Sequence, residues 1–518
     1  MKNNFYLTNK QLPRSKFAFL AAILALVLSS CNLPADSGEQ QQPLIQTWEA
    51  ESGQAAGDLV LPGSELPAPT PLPTRPAYVP GELVSYTAQS GDVLPALAVR
   101  FNTSEEEIRA ANPIIPLDAT TLPEGLPMQI PIYYEALWGS PYQIIPNSLF
   151  VNGPEDRDFN TVAFVNSQPG WLKDYSFYVG GEDKSGGELV QYVAQNYSIS
   201  PRLLLALVDY QTGALSLSKF TDPDAIYPLS LRNESRKGLY YQMILAANYL
   251  NNGYYGWRTG KLTSFERKDG SLEIIDPWQN AASAALHYYY AQIYGGEAYQ
   301  QAIHAQGFLD TYIRLFLFDP WSRDTAHIPG SLKQPELLLP FGPEKPWTYT
   351  GGPHTGWGSG EPWAALDFAP PSTAGGCSPS NEWVTAMADG VIVRTDIGAA
   401  MLDLDGDGDE RTGWVIFYLH LLTESIPPVG TQLSTGDPIG HPSCDGGRST
   451  GTHVHIARKY NGEWVNADSL VPFDMEGWVA VEGSKAYKGT LERFGKIVTA
   501  SEVADSRSRI ESQKTIQQ

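Results

Sequence analysis

His453 and His455 stand two residues apart in the segment 449–456, with the apolar Val454 between them. This alternation is typical of a β-strand, on which residues two apart project from the same face, about 7 Å apart along the backbone. One imidazole of such a pair can bind a metal ion while the other stands over the open side of the ion. The pair therefore predicts chemistry at a metal.

Further histidines and a carboxylate extend this prediction. Five of the eight histidines lie in one part of the chain: His354, His420, His441, His453 and His455. His420 lies in the apolar run 414–421, which predicts a central strand, and Asp367 follows His354 by thirteen residues. A histidine, a carboxylate and a His-x-His pair can supply three protein ligands to zinc and leave a position for water, as in a catalytic site. Zinc lowers the pKa of that water towards neutrality, and a spare histidine can take its proton.

Residues 336–485 resemble the lysostaphin-like zinc metallopeptidases of the M23 family, which cut peptide cross-links in bacterial cell walls. The matching segments are His354 with Asp367, 384–393, 418–421, 436–440 and 449–455. The resemblance implies a mostly antiparallel, two-layer β fold with a long groove. It implies zinc as the cofactor, bound by His354, Asp367 and His455. It further implies that His453 is the general base and that His420 stabilises the tetrahedral intermediate.

The interval between His354 and Asp367 departs from the pattern of that family. Family members normally have three residues between these two ligands, whereas this chain has twelve. The segment 355–363 is rich in Gly and Pro and is expected to loop out. His354 is thus the ligand that the resemblance supports least.

The first 30 residues predict a secretory signal peptide. Basic residues precede the apolar run 17–30, which is shorter than the roughly 20 residues that a membrane span needs. Leu28-Ser-Ser-Cys31 resembles the bacterial lipobox, which implies cleavage before Cys31 and attachment of lipid to its sulfur. The alternative is an ordinary signal peptide or signal anchor with a chance cysteine. We expect an exported protein, lipid-anchored to the outer face of the cell membrane on the cell-wall side, with the Pro-rich segment 31–80 as a tether.

Cys377 and Cys444 remain if Cys31 carries lipid. The chain has three cysteines, and an odd number in an exported protein calls for an explanation. Outside the reducing cytosol the remaining two can form a disulfide at the rim of the peptidase-like region. The alternatives are two free thiols or two thiols that bind metal.

Residues 81–134 predict a small βααβ unit. A strand at 84–88 precedes a helix expected to be capped by Asp92, a second helix opens at a capping box from Ser104, and a strand follows at 128–131. The unit resembles a LysM module, a binder of N-acetylglucosamine glycans, in the segments 86–92, 108–113 and 126–131. The resemblance implies that the sugar lies between two loops, formed by Gly91, Asp92, Val93, Leu94, Ile114, Ile115 and Pro116.

Residues 140–335 predict a largely helical domain. Apolar spacing indicates helices at 188–197, 201–210, 234–250, 277–294 and 297–317. The segments 203–213 and 238–243 faintly resemble the lytic transglycosylases, which implies a degenerate lysozyme-like fold. Gln211 stands where those enzymes carry the glutamic acid that protonates the glycosidic oxygen, and an amide cannot donate that proton. The role of this domain stays open.

An acidic loop lies between two predicted strands of the peptidase-like region. It contains Asp403, Asp405, Asp407 and Asp409. Alternating carboxylates of this kind can bind calcium, and Gly408 permits a sharp turn. A solvated acidic hairpin is the alternative interpretation.

Composition bounds the remaining possibilities. The chain has 518 residues, 42% of them hydrophobic and 18% charged, which is typical of several globular domains. A net charge of −22 and a pI near 4.7 argue against a nucleic-acid partner. Residues 486–518 are polar and are predicted to form a C-terminal tail.

Together these features predict a multidomain α+β protein with a βααβ LysM module, a mostly helical middle domain and a mostly antiparallel β peptidase domain. The predicted function is that of a zinc endopeptidase that cleaves cross-links of peptidoglycan and is targeted by its LysM module. The alternative is a non-catalytic wall-binding adaptor that recruits or activates another hydrolase.

Overall fold

The computed structural model describes residues 78–133, 138–220, 225–343, 345–372, 375–503 and 505–513. The predicted signal peptide, Cys31 and nearly all of the predicted tether lie outside these residues. In the described part of the chain, no helix is both long and apolar enough to cross a membrane. The predicted fold class is confirmed: a βααβ unit and a helical region precede a mostly antiparallel β region.

The βααβ unit consists of two strands and two short helices. Their bounds are β1 Glu82–Thr87, α1 Leu94–Arg100, α2 Glu105–Ala111 and β2 Pro127–Ile132. The strands are antiparallel partners, and Tyr86 of β1 points inward with its partner Met128 of β2 to pack against the helices. Ser104 caps α2, as predicted, by accepting a hydrogen bond from the Glu107 N–H.

Asp92 does not cap α1, contrary to the sequence prediction. Val93 occupies the cap position and makes no side-chain capping hydrogen bond. The buried Asp92 carboxylate instead accepts hydrogen bonds from Tyr86 Oη at 2.6 Å and from the Gln89 N–H at 2.8 Å. Arg100 adds an ion pair at 3.0 Å. Because a buried carboxylate needs such partners, Asp92 fastens the first loop of the unit to its core.

Among the described residues, seven α-helices and two β-hairpins form the helical region. The helices are α3 Thr161–Ser167, α4 Gly186–Tyr197, α5 Pro201–Thr212, α6 Leu239–Thr259, α7 Ala281–Ala291, α8 Gly296–Ile303 and α9 Asp310–Phe316. The hairpin strands are β3 Ser176–Val179, β4 Glu182–Ser185, β5 Ser264–Glu266 and β6 Leu272–Ile274. Ser185 and Glu188 form a capping box at the start of α4. The predicted helix 297–317 is two helices, because the backbone leaves helical geometry at Gly307.

Gln211, in α5, has a structural role in this region. Its Oε1 accepts a hydrogen bond from Tyr289 Oη at 2.6 Å, and its Nε2 donates to the Leu229 carbonyl at 3.2 Å. Both ends of the amide are therefore engaged within the fold.

His287, in α7, makes the stability of the fold depend on pH. Burial lowers the pKa of His287 to about 3, whereas an unfolded histidine titrates near 6.5. Between these values the unfolded chain binds a proton that the folded chain does not, so stability falls as the pH is lowered. The loss of stability from pH 6.5 to pH 4.5 is therefore expected to shrink by about 2 kcal/mol in His287→Leu. Denaturant unfolding of both proteins at the two pH values measures this, and equal losses would contradict it.

Fifteen strands follow the helical region in the described part of the chain. Their bounds are β7 Trp347–His354, β8 Ala365–Ala369, β9 Val384–Thr385, β10 Gly390–Asp396, β11 Ala399–Asp403, β12 Trp414–Leu419, β13 Gln432–Leu433, β14 Pro438–Gly440, β15 Val454–Tyr460, β16 Glu463–Trp464, β17 Asp474–Met475, β18 Trp478–Glu482, β19 Gly489–Arg493, β20 Lys496–Thr499 and β21 Arg509–Ile510. The main sheet has nine antiparallel strands in the order β13-β10-β11-β12-β15-β8-β7-β21, with β16 paired to β15. Two smaller sheets, β9-β14 and β17-β18-β19-β20, pack beside it.

The predicted C-terminal tail 486–518 is wrong for most of its length. Strands β19 and β20 belong to the four-stranded sheet, and β21 pairs with β7. The buried side chains of Leu491, Val498 and Ile510 anchor them. Each strand is short and carries polar residues on its outer face, so its hydrophobic pattern is weak in the sequence.

The main sheet has an apolar core on each of its two faces. One face, with Phe368, Tyr418 and Ile456, packs on the smaller sheets and loops of the β region. The other face, with Met401 and Phe417, is buried in one continuous core with the helical region. Separating the two regions would expose this second face to water, which is unfavourable.

Candidate metal centre

Three neighbouring strands bring His354, Asp367 and His455 together. His354 is the last residue of β7, Asp367 lies in β8 and His455 lies near the start of β15. Asp367 and His455 are directly opposite in the antiparallel pair of β8 and β15, so their side chains share a face. All three residues are buried. Burying a carboxylate without a partner is costly, so this group calls for a counter-charge.

In the neutral form of the two imidazoles, the nitrogen that faces the carboxylate carries no proton. His354 Nδ1 lies 2.8 Å from the Gly352 carbonyl oxygen, and His455 Nε2 lies 3.0 Å from the Gly356 carbonyl oxygen. Because a carbonyl oxygen only accepts hydrogen bonds, these two nitrogens carry the protons. Nε2 of His354 and Nδ1 of His455 are thus free to bind a metal, with the carbonyls fixing the orientation of each ring.

The three donor atoms form a small triangle. His354 Nε2 and His455 Nδ1 are 3.1 Å apart, and they lie 3.3 and 3.2 Å from Asp367 Oδ1. A tetrahedral zinc ion with bonds of about 2.0–2.1 Å spaces its ligand atoms about 3.3 Å apart. Among the described residues, no hydrogen-bond donor satisfies Asp367 Oδ1. The triangle therefore fits zinc and leaves one tetrahedral position for a further ligand.

The Asp367 carboxyl is ionised, as a metal ligand must be. Burial acts to raise the pKa of Asp367, but the positive charge that the neighbouring His354 and His453 imidazoles carry when protonated holds it well below its ordinary value. Gly351 lies opposite Asp367 on β7. A Cβ added at Gly351 would lie 2.4 Å from Asp367 Oδ2, so the carboxylate occupies the space that a side chain would fill.

His453 and His420 flank the triangle of donor atoms. His453 Nε2 lies 3.8 Å from Asp367 Oδ1, and the His453 and His420 rings are 4.6 Å apart. His453 Nδ1 contacts the Gly451 carbonyl oxygen at 2.7 Å, and His420 Nδ1 contacts the Asp445 carbonyl oxygen at 2.7 Å. Both rings therefore carry a proton on Nδ1, so that in the neutral ring Nε2 has no proton and can accept one.

The environment of His420 constrains the role that the resemblance implies for it. Burial, together with His453 and His455, lowers the pKa of His420 to about 4, so the ring is neutral near pH 7. Stabilising an oxyanion by a hydrogen bond needs a proton on Nε2. His420 must therefore gain a proton during a reaction to fulfil that role.

Tyr487 covers His354, a contact that sequence analysis missed. The two rings stack with centroids 4.1 Å apart and planes inclined by 23°. Backbone hydrogen bonds join the Gly352 N–H to the Tyr487 carbonyl and the Tyr487 N–H to the Pro353 carbonyl. Tyr487 has a φ of 68°, which is rare for a bulky residue, so its surroundings hold the loop in this shape. The residue falls in the stretch predicted as a tail, where no pattern indicated a site.

The predicted glycan-binding residues occupy two kinds of environment. Asp92, Leu94 and Ile115 are buried in their unit. Ile114 and Pro116 are exposed. A sugar between the two loops would therefore meet the exposed side chains and the loop backbone, not the three buried side chains.

The first of these loops also contacts the helical region. A Cβ added at Gly91 would lie 2.6 Å from Nη1 of Arg258, which belongs to α6. Arg258 donates a hydrogen bond to the Ser90 carbonyl and forms an ion pair with Glu463 of β16 at 3.0 Å. Val93, on the same loop, is half-buried. The LysM-like unit is thus fixed to both of the other regions.

The acidic loop is braced by arginines. Three of its carboxylates converge within 4.8 Å: Asp403, Asp405 and Asp407. Asp409 does not join them but pairs with Arg411 at 2.7 Å and with Arg157 at 3.2 Å. Burial raises the pKa of Asp403 to about 6. These contacts support the interpretation of the loop as an acidic hairpin. None of them supports a calcium site.

Cys377 and Cys444 form a disulfide at the rim of the site, with Cα atoms 5.7 Å apart and 67 residues of sequence separation. The Thr452 N–H donates to the Gly376 carbonyl at 3.0 Å, so the disulfide loop also contacts the residue before His453. Because the bond closes a long loop, the double variant Cys377→Ser/Cys444→Ser is expected to lose about 2–4 kcal/mol of unfolding free energy. Denaturant unfolding measures this loss, and reduction of the unmodified chain should reproduce it. Unchanged unfolding in both experiments would contradict the prediction.

Comparison with known proteins assigns two parts of the chain. The LysM domain model matches residues 86–131, and the model of the LasA N-terminal domain matches residues 143–329. The second match covers most of the helical region, and the faint resemblance to lytic transglycosylases did not reveal it.

Comparison with whole proteins and solved structures adds three similar proteins. Protease LasA of Pseudomonas aeruginosa strain UCBPP-PA14 is 26% identical over 337 residues, covering 62% of this chain and 74% of LasA. The β-lytic metalloendopeptidase of Achromobacter lyticus is 29% identical over 168 residues, covering 30% of this chain and 41% of that protein. Among solved structures, the M23 metalloprotease pseudoalterin from the deep sea is 27% identical, with coverage of 32% of this chain and 96% of that chain and a TM-score of 0.28.

Proposed function

We propose that this chain, a homologue of protease LasA and of the β-lytic metalloendopeptidases that carries a LysM domain, is a zinc-dependent endopeptidase that cleaves peptide cross-links of peptidoglycan. The observation that carries the proposal is the triangle formed by His354 Nε2, Asp367 Oδ1 and His455 Nδ1, with sides of 3.1–3.3 Å. A three-ligand site with an open position and an adjacent proton acceptor is typical of catalytic rather than structural zinc.

The residues around the triangle divide the work of amide hydrolysis. Zinc, when bound, supplies a Lewis acid that polarises the scissile carbonyl and lowers the pKa of a water molecule. His453 accepts the proton of the attacking water at Nε2 and delivers it to the leaving amine nitrogen as the C–N bond breaks. His420, once it has taken up a proton from solvent at Nε2, donates a hydrogen bond to the oxyanion of the tetrahedral intermediate and returns that proton to solvent when the intermediate collapses. The carbonyls that hold Nδ1 of both rings keep each Nε2 directed at the site.

We further propose that the LysM domain binds N-acetylglucosamine glycan and that the chain is exported and lipid-anchored at Cys31. The LysM match and the exposed Ile114 and Pro116 support the first proposal. The apolar run 17–30 and the lipobox-like 28–31 support the second. Because Arg258 fixes the LysM domain to the other regions, a bound glycan strand would lie at a constant distance from the metal centre.

Digestion of purified peptidoglycan by the full chain tests the proposal. Cleavage of amide bonds releases new amino groups, whereas cleavage of the glycan releases new reducing ends. We expect amino groups to accumulate without reducing ends. A folded chain that binds peptidoglycan and releases neither product would overturn the proposal and favour the non-catalytic adaptor.

A further inference from the structure

We infer that helix α6 of the helical region positions a metal ligand of the β region, through Asn248, Asn252 and the loop 355–363. The inference rests on the proposed zinc site and gives the helical region a part in building it. The helix binds the loop through two hydrogen bonds, the junction between them is closely packed, and the loop in turn contacts His455.

The first contact joins the helix to the loop. Asn248 Oδ1 accepts a hydrogen bond from the Ser359 N–H at 2.7 Å, and Asn252 Oδ1 accepts one from the Glu361 N–H at 2.8 Å. Side chains four residues apart on a helix share a face and are separated by about 6 Å along its axis. One face of the helix therefore holds both N–H groups of the loop at once.

The second feature is the closeness of this junction. Gly358 and Gly360 flank Ser359 and have φ values of 82° and 90°. A Cβ added at Gly358 would lie 2.5 Å from Asn248 Oδ1, and one added at Gly360 would lie 2.0 Å from Asn252 Oδ1. Both the backbone conformation and the approach to the asparagines therefore require glycine. The Gly-Ser-Gly sequence of the insert is suited to this docking.

The third contact joins the loop to the metal ligand. The Gly356 carbonyl accepts the hydrogen bond from His455 Nε2 at 3.0 Å. The Gly356 N–H donates to the Pro362 carbonyl at 3.1 Å, which closes the loop on itself. The Gly356 carbonyl keeps the His455 proton on Nε2 and leaves Nδ1 free to bind a metal. Outer contacts of this kind orient metal-binding histidines. Loosening the loop from α6 would let the imidazole rotate and move its proton to the metal-binding nitrogen.

The double variant Asn248→Ala/Asn252→Ala tests the inference in the full chain. Zinc affinity is measured by competition with a chromogenic chelator, and the visible absorption of the cobalt-substituted protein reports the geometry of the ligands. We expect zinc to bind about 10–100-fold more weakly, as is typical when an outer hydrogen bond of a metal ligand is lost. We also expect a changed cobalt spectrum. The single variants Asn248→Ala and Asn252→Ala are measured in the same way and replace the double variant if it does not fold.

Two further variants separate positioning from a general loss of stability. Asn252→Asp keeps the oxygen that accepts the Glu361 N–H. It is expected to keep the zinc affinity of the unmodified chain. Asn160→Ala is the matched control, because Asn160 Oδ1 also accepts a backbone N–H, that of Ala163, but at the start of α3. It is expected to lower the melting temperature without changing zinc affinity.

The outcomes distinguish this inference from the proposed function. Zinc affinity and a cobalt spectrum that stay unchanged in a folded double variant would overturn the inference alone. Equal losses in Asn252→Asp and Asn252→Ala would also overturn it, since the acceptor oxygen is present in the first. Failure of the unmodified chain to bind zinc would overturn the proposed function.

Discussion

Replacing His455 by alanine is expected to abolish stoichiometric zinc binding and, with it, the release of amino groups from peptidoglycan. His455 Nδ1 forms two sides of the donor triangle, of 3.1 and 3.2 Å. Without it only two protein ligands remain, one fewer than catalytic zinc sites have. Zinc affinity should therefore fall by more than the roughly 10–100-fold that follows the loss of an outer hydrogen bond. Metal analysis after dialysis against a weak chelator measures it.

His441→Ala is the matched control for this variant. His441 belongs to the same cluster of five histidines in the sequence, but its Nδ1 contacts the Glu382 carbonyl and its ring packs on Trp383. It should bind zinc as the unmodified chain does. Full zinc occupancy in a folded His455→Ala variant would show that the triangle is not the metal site.

Replacing His453 by alanine is expected to remove activity while leaving zinc in place. His453 Nε2 lies 3.8 Å from Asp367 Oδ1, outside the donor triangle, and it is the proton acceptor of the neutral ring because Nδ1 donates to the Gly451 carbonyl. Removing a positioned general base typically slows a reaction by about 10²–10⁴-fold. We expect kcat to fall by that factor, with zinc content and melting temperature close to those of the unmodified chain.

Measuring both zinc content and kcat distinguishes a metal ligand from a proton acceptor. Loss of zinc together with activity in His453→Ala would assign His453 to the metal instead of to proton transfer. A rate within a few-fold of the unmodified chain would assign the base to another residue, of which His420, with its own unprotonated Nε2, is the nearest.

Much of the site could be predicted from sequence because its residues lie on strands with strict periodicity. The His-x-His pattern places His453 and His455 on one face, and a strand holding Asp367 pairs beside it. The LysM domain was likewise predictable, since its strand, capped helix and turn signals are local. Such patterns depend only on neighbours in the chain.

The parts that sequence analysis missed depend on contacts between distant segments. The docking of loop 355–363 on Asn248 and Asn252 joins residues 109–111 apart in sequence, and neither partner has a distinctive pattern. This contact also explains how a long insert is compatible with His354 as a ligand: the insert packs on α6 while β7 and β8 stay paired. Tyr487 was missed for the same reason, as its stacking on His354 joins a loop to the end of the distant strand β7.

The extent of the β region was underestimated because strand pairing is cooperative. Strand β21 has only two residues, and its place is set by pairing with β7 rather than by its own composition. The apolar face with Met401 and Phe417 is covered by the helical region, and the strands alone do not indicate what covers it.

The most direct test of the central claim is the metal dependence of peptidoglycan cleavage by the full chain. The chain is stripped with a chelator, and the release of amino groups is measured before and after addition of zinc or, as a control, magnesium. Cleavage that disappears on stripping and returns with one equivalent of zinc, but not with magnesium, is the predicted result. Cleavage that persists in the stripped chain, or a folded zinc-loaded chain that releases no amino groups, would contradict the account.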